Sequence, residues 1–157
     1  MELVKDNHCF VCGKENQKGL KLKMLRDGDR GVRSEFIAYE HYRGWSKYLH
    51  GGMVSLIFDE LLGWNAFFLG YDAVTARMEI RYRRPIPLGS RVFFKGVLDK
   101  EVKGLLVVNT FAYLEDGSLA AEGKGTMLII NRREKKTVPE ATSQDKGREI
   151  FPSSEGP

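Results

Sequence analysis

The sequence predicts an α+β fold in which a curled antiparallel β-sheet wraps around one long central α-helix, and three observations carry that expectation. From Met53 to Leu69 the residues are apolar on every side of a helical projection, interrupted by Ser55, Asp59, Glu60 and Asn65. Such a helix is expected to be enclosed by the fold rather than laid on its surface. Beyond Asp72 the chain turns to strand-like runs joined by short turns, which makes successive strands antiparallel neighbours. At 157 residues and 42% hydrophobic content, the length suits one compact domain with one core.

Residues 1–19 read as a cap or loop region, with turn signals at Cys12-Gly13, Asn16 and Gly19. Leu20, Leu22 and Met24 alternate with Lys21, Lys23 and Leu25, the pattern of a half-buried strand. A turn at Asp27-Gly28-Asp29-Arg30-Gly31 leads to a second strand near Val32 to Ala38, so the two form a hairpin. Glu40 to Leu49 has no period and carries His41, Tyr42, Gly44, Trp45 and Tyr48. It is expected as an ordered loop over the helix entrance, its aromatic side chains packing the helix start or lining a pocket.

After the helix, Gly70-Tyr71-Asp72 makes a turn. In the strand that follows, Met78, Ile80 and Tyr82 face one way while Arg77, Glu79, Arg81 and Arg83 face the other, and Pro85 and Pro87 end it. Three longer runs, Arg91 to Glu101, Leu105 to Glu115 and Leu119 to Asn131, are joined by turns at Lys103-Gly104 and Asp116-Gly117. Residues 1–135 make the domain. From 136 to 157 the chain has no aliphatic period and is expected to be a mobile charged tail. The outer strands of such a sheet need covering or pairing, and continuing the sheet into a second subunit does both.

Composition narrows the function. A formal net charge of +4, with 29% charged residues of both signs, is a mild bias toward anions and does not demand nucleic acid. Two adjacent acids near the middle of the apolar helix argue against a membrane span. Lys5, Asp6, Asn7 and His8 break any early apolar run, so no signal peptide is read and a cytoplasmic location is expected. The two cysteines, Cys9 and Cys12, form a single C-x-x-C without the second ligand pair of a zinc ribbon or the strand-then-helix setting of a redox dithiol. They are expected as two reduced, partly buried thiols with no metal. The alternative is a zinc site that recruits His8 or His41.

The chemistry concentrates at the helix. Gly51 and Gly52 sit where it begins, and glycines there let the backbone approach a ligand while the first N–H groups remain unpaired. A carbonyl that becomes an oxyanion can be stabilised by those amides, by the helix dipole and by His50. A carboxylate withdrawn from water costs several kcal/mol unless it is paired, so Asp59 is either well partnered, Arg77 being the candidate, or kept for chemistry. Asp59 lies seven residues after Gly52, on the same face and roughly 10 Å along the axis. One carbonyl cannot touch both, so the acid and the amides must come from two antiparallel copies of the helix in a dimer with shared active sites.

His50-Gly51-Gly52 followed by Asp59-Glu60, with the later Tyr82-Arg83-Arg84-Pro85 and Pro87-Leu88-Gly89, resembles the hotdog-fold acyl-CoA thioesterases of the phenylacetate-pathway (PaaI-like) type. Cys9-Phe10-Val11-Cys12-Gly13 and Asn16-Gln17-Lys18-Gly19-Leu20 are similar to the opening of many members. The resemblance implies hydrolysis of an acyl-CoA thioester to free acid and coenzyme A, with Asp59 as nucleophile or general base and no metal or redox cofactor. The site geometry and the sheet edges both call for a homodimer, and whether two dimers pair into a dimer of dimers is left open.

Glu60 points about 100 degrees away around the helix and is either an auxiliary acid or a hydrogen-bonded structural one. Thr75 matches the position where similar thioesterases carry a Ser or Thr that orients water, although simple alternation puts it on the arginine side of its strand unless the strand is bulged. Gly44 stands where some relatives place an Asn that positions water, so that contribution is either absent or supplied by Ser46. Arg83 and Arg84 suit the phosphates of coenzyme A, and Trp45 the acyl group. Two other readings share the fold: a module that binds acyl-CoA without hydrolysing it, and a dehydratase suggested by His41-x-x-Gly44.

Overall fold

The computed structural model describes residues 7–133, so the segment 136–157 expected as a tail lies outside the described residues. Six strands and one long helix follow in the order β1 (Leu25–Asp27), β2 (Gly31–Ile37), α1 (Gly51–Phe68), β3 (Tyr71–Tyr82), β4 (Arg91–Val102), β5 (Leu105–Leu114) and β6 (Leu119–Arg132). The strands make one curled sheet in the spatial order β1-β2-β4-β5-β6-β3, antiparallel at every step. Helix α1 contacts β2, β3, β4, β5 and β6, so it lies along the sheet as the apolar run predicted.

The late strands fall within a residue or two of their sequence bounds because their turns are locally encoded. Lys103 and Gly104 take φ of 49° and 80°, the left-handed pair of a tight hairpin. At the next turn the carboxylate of Asp116 accepts the Ser118 N–H at 2.8 Å, and this bonding holds its carboxyl below the usual carboxylate range.

The core forms where α1 presses on the sheet. Ile57, Phe58, Leu61 and Leu62 are buried completely, against Val92, Phe94, Leu106 and Val108 of β4 and β5. Two glycines of β6 make room for them. A Cβ on Gly125 would lie 2.2 Å from Leu62 Cδ1, and one on Gly123 would lie 3.0 Å from Phe58 Cδ2. The helix can therefore sit deep in the curl, and larger residues at these positions would lift it off the sheet.

Three expectations are corrected. Strand β1 starts only at Leu25, because Leu20 and Leu22 give their amides to Phe10 and Val11 carbonyls of the N-terminal loop, both at 2.9 Å. Lys21, at φ 55°, breaks the extended backbone between them. Their alternation is real, but a loop rather than a strand is the partner.

The helix, second, is not enclosed on all sides. Gly51, Gly52, Asp59 and Gly63 are exposed in a stripe along α1, since one sheet covers only one side of the helix. Asp59 is accordingly not withdrawn from water within a single chain.

The third correction concerns β3, where the pairing with β6 shifts register between Thr75 and Arg77. Thr75 opposes Met127 and Arg77 opposes Thr126, leaving Ala76 as the extra residue of a bulge. The bulge turns Thr75 onto the face of Met78 and Ile80, which strict alternation had denied it.

Candidate functional site

Tight local bonding defines the start of α1. His50 is the N-cap, and its Nδ1 accepts the Gly52 N–H at 2.8 Å. With Nδ1 accepting, the neutral ring carries its proton on Nε2. The amide of Gly52 is thus taken up inside the chain, and of the two glycine amides expected at an oxyanion only that of Gly51 has no partner among the described residues. Gly51 is held from its other end, its carbonyl accepting from Tyr82 Oη at 3.0 Å. Gly44 is needed beneath this turn, because a Cβ there would lie 2.8 Å from His50 Cα.

Beside Gly51 runs a groove of about 340 Å³ whose walls include Val54, Tyr82, Arg83, Arg84 and Ile86. The two arginines differ. Arg83 is bound to Glu122 through Nε at 3.1 Å and a terminal nitrogen at 2.5 Å, whereas the Arg84 side chain makes no hydrogen bond or ion pair among the described residues. Of the two cations expected to meet an anion, Arg84 is the unengaged one. Trp45 and Ser46 line neither this groove nor the next. The hydrogen bonds from Gly44 N–H to the Tyr48 carbonyl and from Tyr48 N–H to the Trp45 carbonyl fold the loop into a tight tip, leaving Trp45 91% exposed and Ser46 at φ 56°.

Two turns further along α1 a second groove, of about 670 Å³, holds Asp59 and Thr75. The Thr75 hydroxyl donates to Asp59 Oδ1 at 2.7 Å, a contact that the bulge at Ala76 makes possible. Arg77, the ion-pair partner that sequence reasoning weighed for Asp59, pairs with Glu79 instead. Oδ2 of Asp59 has no hydrogen-bond partner among the described residues, and Asp59 lines the groove. A carboxylate fixed at one oxygen and open at the other can take a proton from water or attack an electrophilic carbon.

A sequence model of the thioesterase-like superfamily matches residues 32–145, a range that includes Gly51, Asp59, Thr75 and Arg84. The chain belongs to the thioesterase-like superfamily. Among curated relatives of this thioesterase-like chain, the mouse acyl-coenzyme A thioesterase THEM4 is 32% identical over 92 residues, 58% of the chain. The chain spans 40% of the length of that relative.

Among solved structures, a hypothetical thioesterase from Streptococcus pneumoniae, crystallised with coenzyme A, is 19% identical with a TM-score of 0.68, covering 72% of this chain and 88% of that one. Two variants of the streptococcal protein, in which an aspartate and a threonine sixteen positions apart are each replaced by alanine, superpose with a TM-score of 0.67 at 18% identity. They cover 71% of this chain and 92% and 91% of theirs. The Escherichia coli PaaI protein of the phenylacetic acid degradation operon is 15% identical with a TM-score of 0.68, over 73% and 83% of the two chains. One helix on a curled six-stranded antiparallel sheet is the hotdog fold these proteins share.

The thioesterase-like chain also carries a cluster that spacing alone did not assemble. Glu60 turns away from Asp59: its Oε1 accepts the Trp64 indole N–H at 2.9 Å, and its Oε2 lies 3.5 Å from Cys9 Sγ. Glu60 is thereby a hydrogen-bonded acid of the N-terminal loop contact. Burial pushes the Cys12 thiol up to about 12, helped by the hydrogen bond and charge of Glu60. Of the two histidines weighed as partners of the thiols, His8 pairs with Glu15 at 3.4 Å, and His41 packs between the rings of Tyr39 and Tyr42.

Proposed function

We propose that the chain hydrolyses an acyl-CoA thioester to the free acid and coenzyme A, with Asp59 as nucleophile or general base. The observation that carries this is the 2.7 Å contact between Thr75 Oγ1 and Asp59 Oδ1 on the open stripe of the helix. That hydroxyl fixes the carboxylate and leaves Oδ2 to the water or the thioester carbon. As base, Asp59 takes a proton from water while the oxygen attacks the carbonyl, and the proton then goes to the leaving thiolate. As nucleophile its carboxylate oxygen bonds the acyl carbon while the C–S bond breaks and coenzyme A leaves as the thiolate. Water then opens the mixed anhydride, releasing the free acid and restoring Asp59 while the proton from water goes to the thiolate. The spacing supports the same pair: Asp59 and Thr75 are sixteen residues apart, as are the aspartate and threonine replaced in the streptococcal variants.

The oxyanion is assigned to the Gly51 amide of the neighbouring subunit, with His50 Nε2 as the second donor. Arg84 meets a phosphate of coenzyme A. Two copies are needed because the amide and the acid sit two helical turns apart on one helix. Strand β3, twelve residues long at the edge of the sheet, offers the ladder on which a second sheet can continue. In sedimentation velocity the active protein is expected at twice the mass of one chain, or at four times if dimers pair. A single-chain mass in a sample that turns over acyl-CoA would remove the shared site.

Thiol release from a panel of acyl-CoA thioesters tests the reaction itself. Thr75→Val keeps the shape of the side chain and deletes its donor. Losing a hydrogen bond to a charged group, worth about 1.5–3 kcal/mol, should lower turnover roughly 10- to 100-fold. Unchanged turnover in Thr75→Val would separate the contact from the chemistry.

A further inference from the structure

We infer that Cys9, Cys12 and Glu60 form a zinc site that ties the N-terminal loop to α1 beside Asp59. The thiol sulfurs and a carboxylate oxygen of the three residues all lie within 4.8 Å of one another. Tetrahedral zinc, with bonds of about 2.3 Å to sulfur and about 2.0–2.2 Å to oxygen, sets its ligand atoms about 3.5–3.8 Å apart. The 3.5 Å between Cys9 Sγ and Glu60 Oε2 already meets that spacing. This departs from the sequence expectation of two plain thiols with no metal, and the third ligand is an acid rather than His8 or His41.

What distinguishes the cluster from a chance meeting of thiols and an acid is the set of donors around it. Val11 N–H points at Cys9 Sγ at 3.3 Å, as a backbone donor does to a metal-bound thiolate. The Trp64 indole N–H occupies Glu60 Oε1 at 2.9 Å, which orients the carboxylate and aims the other oxygen toward the sulfurs. Gly13 N–H closes the loop onto the Cys9 carbonyl at 2.9 Å. A Cβ on Gly13 would lie 2.5 Å from that carbonyl oxygen and 2.6 Å from Cys9 N. The C-x-x-C-G stretch is therefore wound as tightly as its backbone permits, with both sulfurs on the helix side.

Three protein ligands leave the fourth position of a tetrahedral ion open. All three ligand residues line the groove that holds Asp59 and Thr75, so a water from the groove would complete the shell. Two thiolates and a carboxylate balance a dication with one negative charge left over, and the two N–H donors offset that charge. Zinc suits this mixed sulfur and oxygen set better than magnesium or calcium, which take oxygen alone.

The test uses the reduced, tag-free full chain stripped with a chelator and titrated with Co²⁺ and then Zn²⁺. Sulfur-to-cobalt charge-transfer bands saturating at one equivalent per chain and displaced by Zn²⁺ are expected. Both thiols should become unreactive to a thiol reagent with Zn²⁺ bound and reactive again with chelator. Cys12→Ser should abolish the bands, and Glu60→Gln should weaken cobalt binding at least 10-fold while both proteins keep the circular dichroism of the wild type. The inference is overturned if folded wild-type protein shows no charge-transfer band, if Cys12→Ser retains it, or if both thiols react freely in excess Zn²⁺. None of these readouts depends on thioester hydrolysis, so failure here and failure of the proposed reaction are separable.

Discussion

Replacing Asp59 by Asn should lower acyl-CoA hydrolysis by roughly 10²–10⁴-fold, the range over which a positioned acid or base contributes. Asn matches Asp in shape, and its amide oxygen can still accept the Thr75 hydroxyl that lies 2.7 Å from Oδ1. Asp59 is exposed on the open stripe of α1, so the change buries no group and leaves the core untouched. The loss should therefore fall on kcat with the fold intact, measured by thiol release across an acyl-CoA panel and by an unaltered unfolding midpoint. Turnover equal to that of wild type would defeat the proposed role of Asp59. Wild-type protein that binds acyl-CoA tightly without releasing thiol would instead make the chain a binding module.

Phe58→Ala should cost about 3–5 kcal/mol of stability. Phe58 is fully buried one residue before Asp59, and its ring meets that of Phe94 edge to face, 5.9 Å between centroids. It fills the hollow that Gly123 of β6 leaves open. Deleting the ring leaves a cavity that helix and sheet can close only by moving together, and Gly123 offers no side chain to collapse into it. Against a total stability of about 5–15 kcal/mol for a domain, that loss takes a large share. Urea unfolding with an unchanged slope and a lowered midpoint is the expected result. A change under about 1 kcal/mol would mean that the helix does not rest on the sheet at this point.

The two predictions act on neighbouring faces of one helix turn, about 100 degrees apart, and the sequence shows that division only in part. An apolar residue at every angle around α1 reads as burial on every side, yet the sheet of one chain reaches only Val54, Ile57, Phe58, Leu61 and their neighbours. The remaining stripe, with Gly51, Asp59 and Gly63 exposed, is where a second copy is proposed to lie. Composition alone does not distinguish burial by one's own sheet from burial by a neighbour, because both ask for the same side chains.

The sequence by itself determined the helix and its entrance glycines, the three long strands β4 to β6 with their hairpin turns, and the acid at position 59. Each rests on a period or a turn preference set by residues close in the chain. Only the tertiary structure decided that a bulge at Ala76 brings Thr75 to Asp59, that His50 takes the Gly52 amide, and that Cys9 and Cys12 meet Glu60 across 51 and 48 positions of sequence. A bulge depends on where the partner strand lies, and a loop's landing place on which surface the helix leaves open. Such contacts join residues that no local pattern relates, so they exist only once the sheet has closed on the helix.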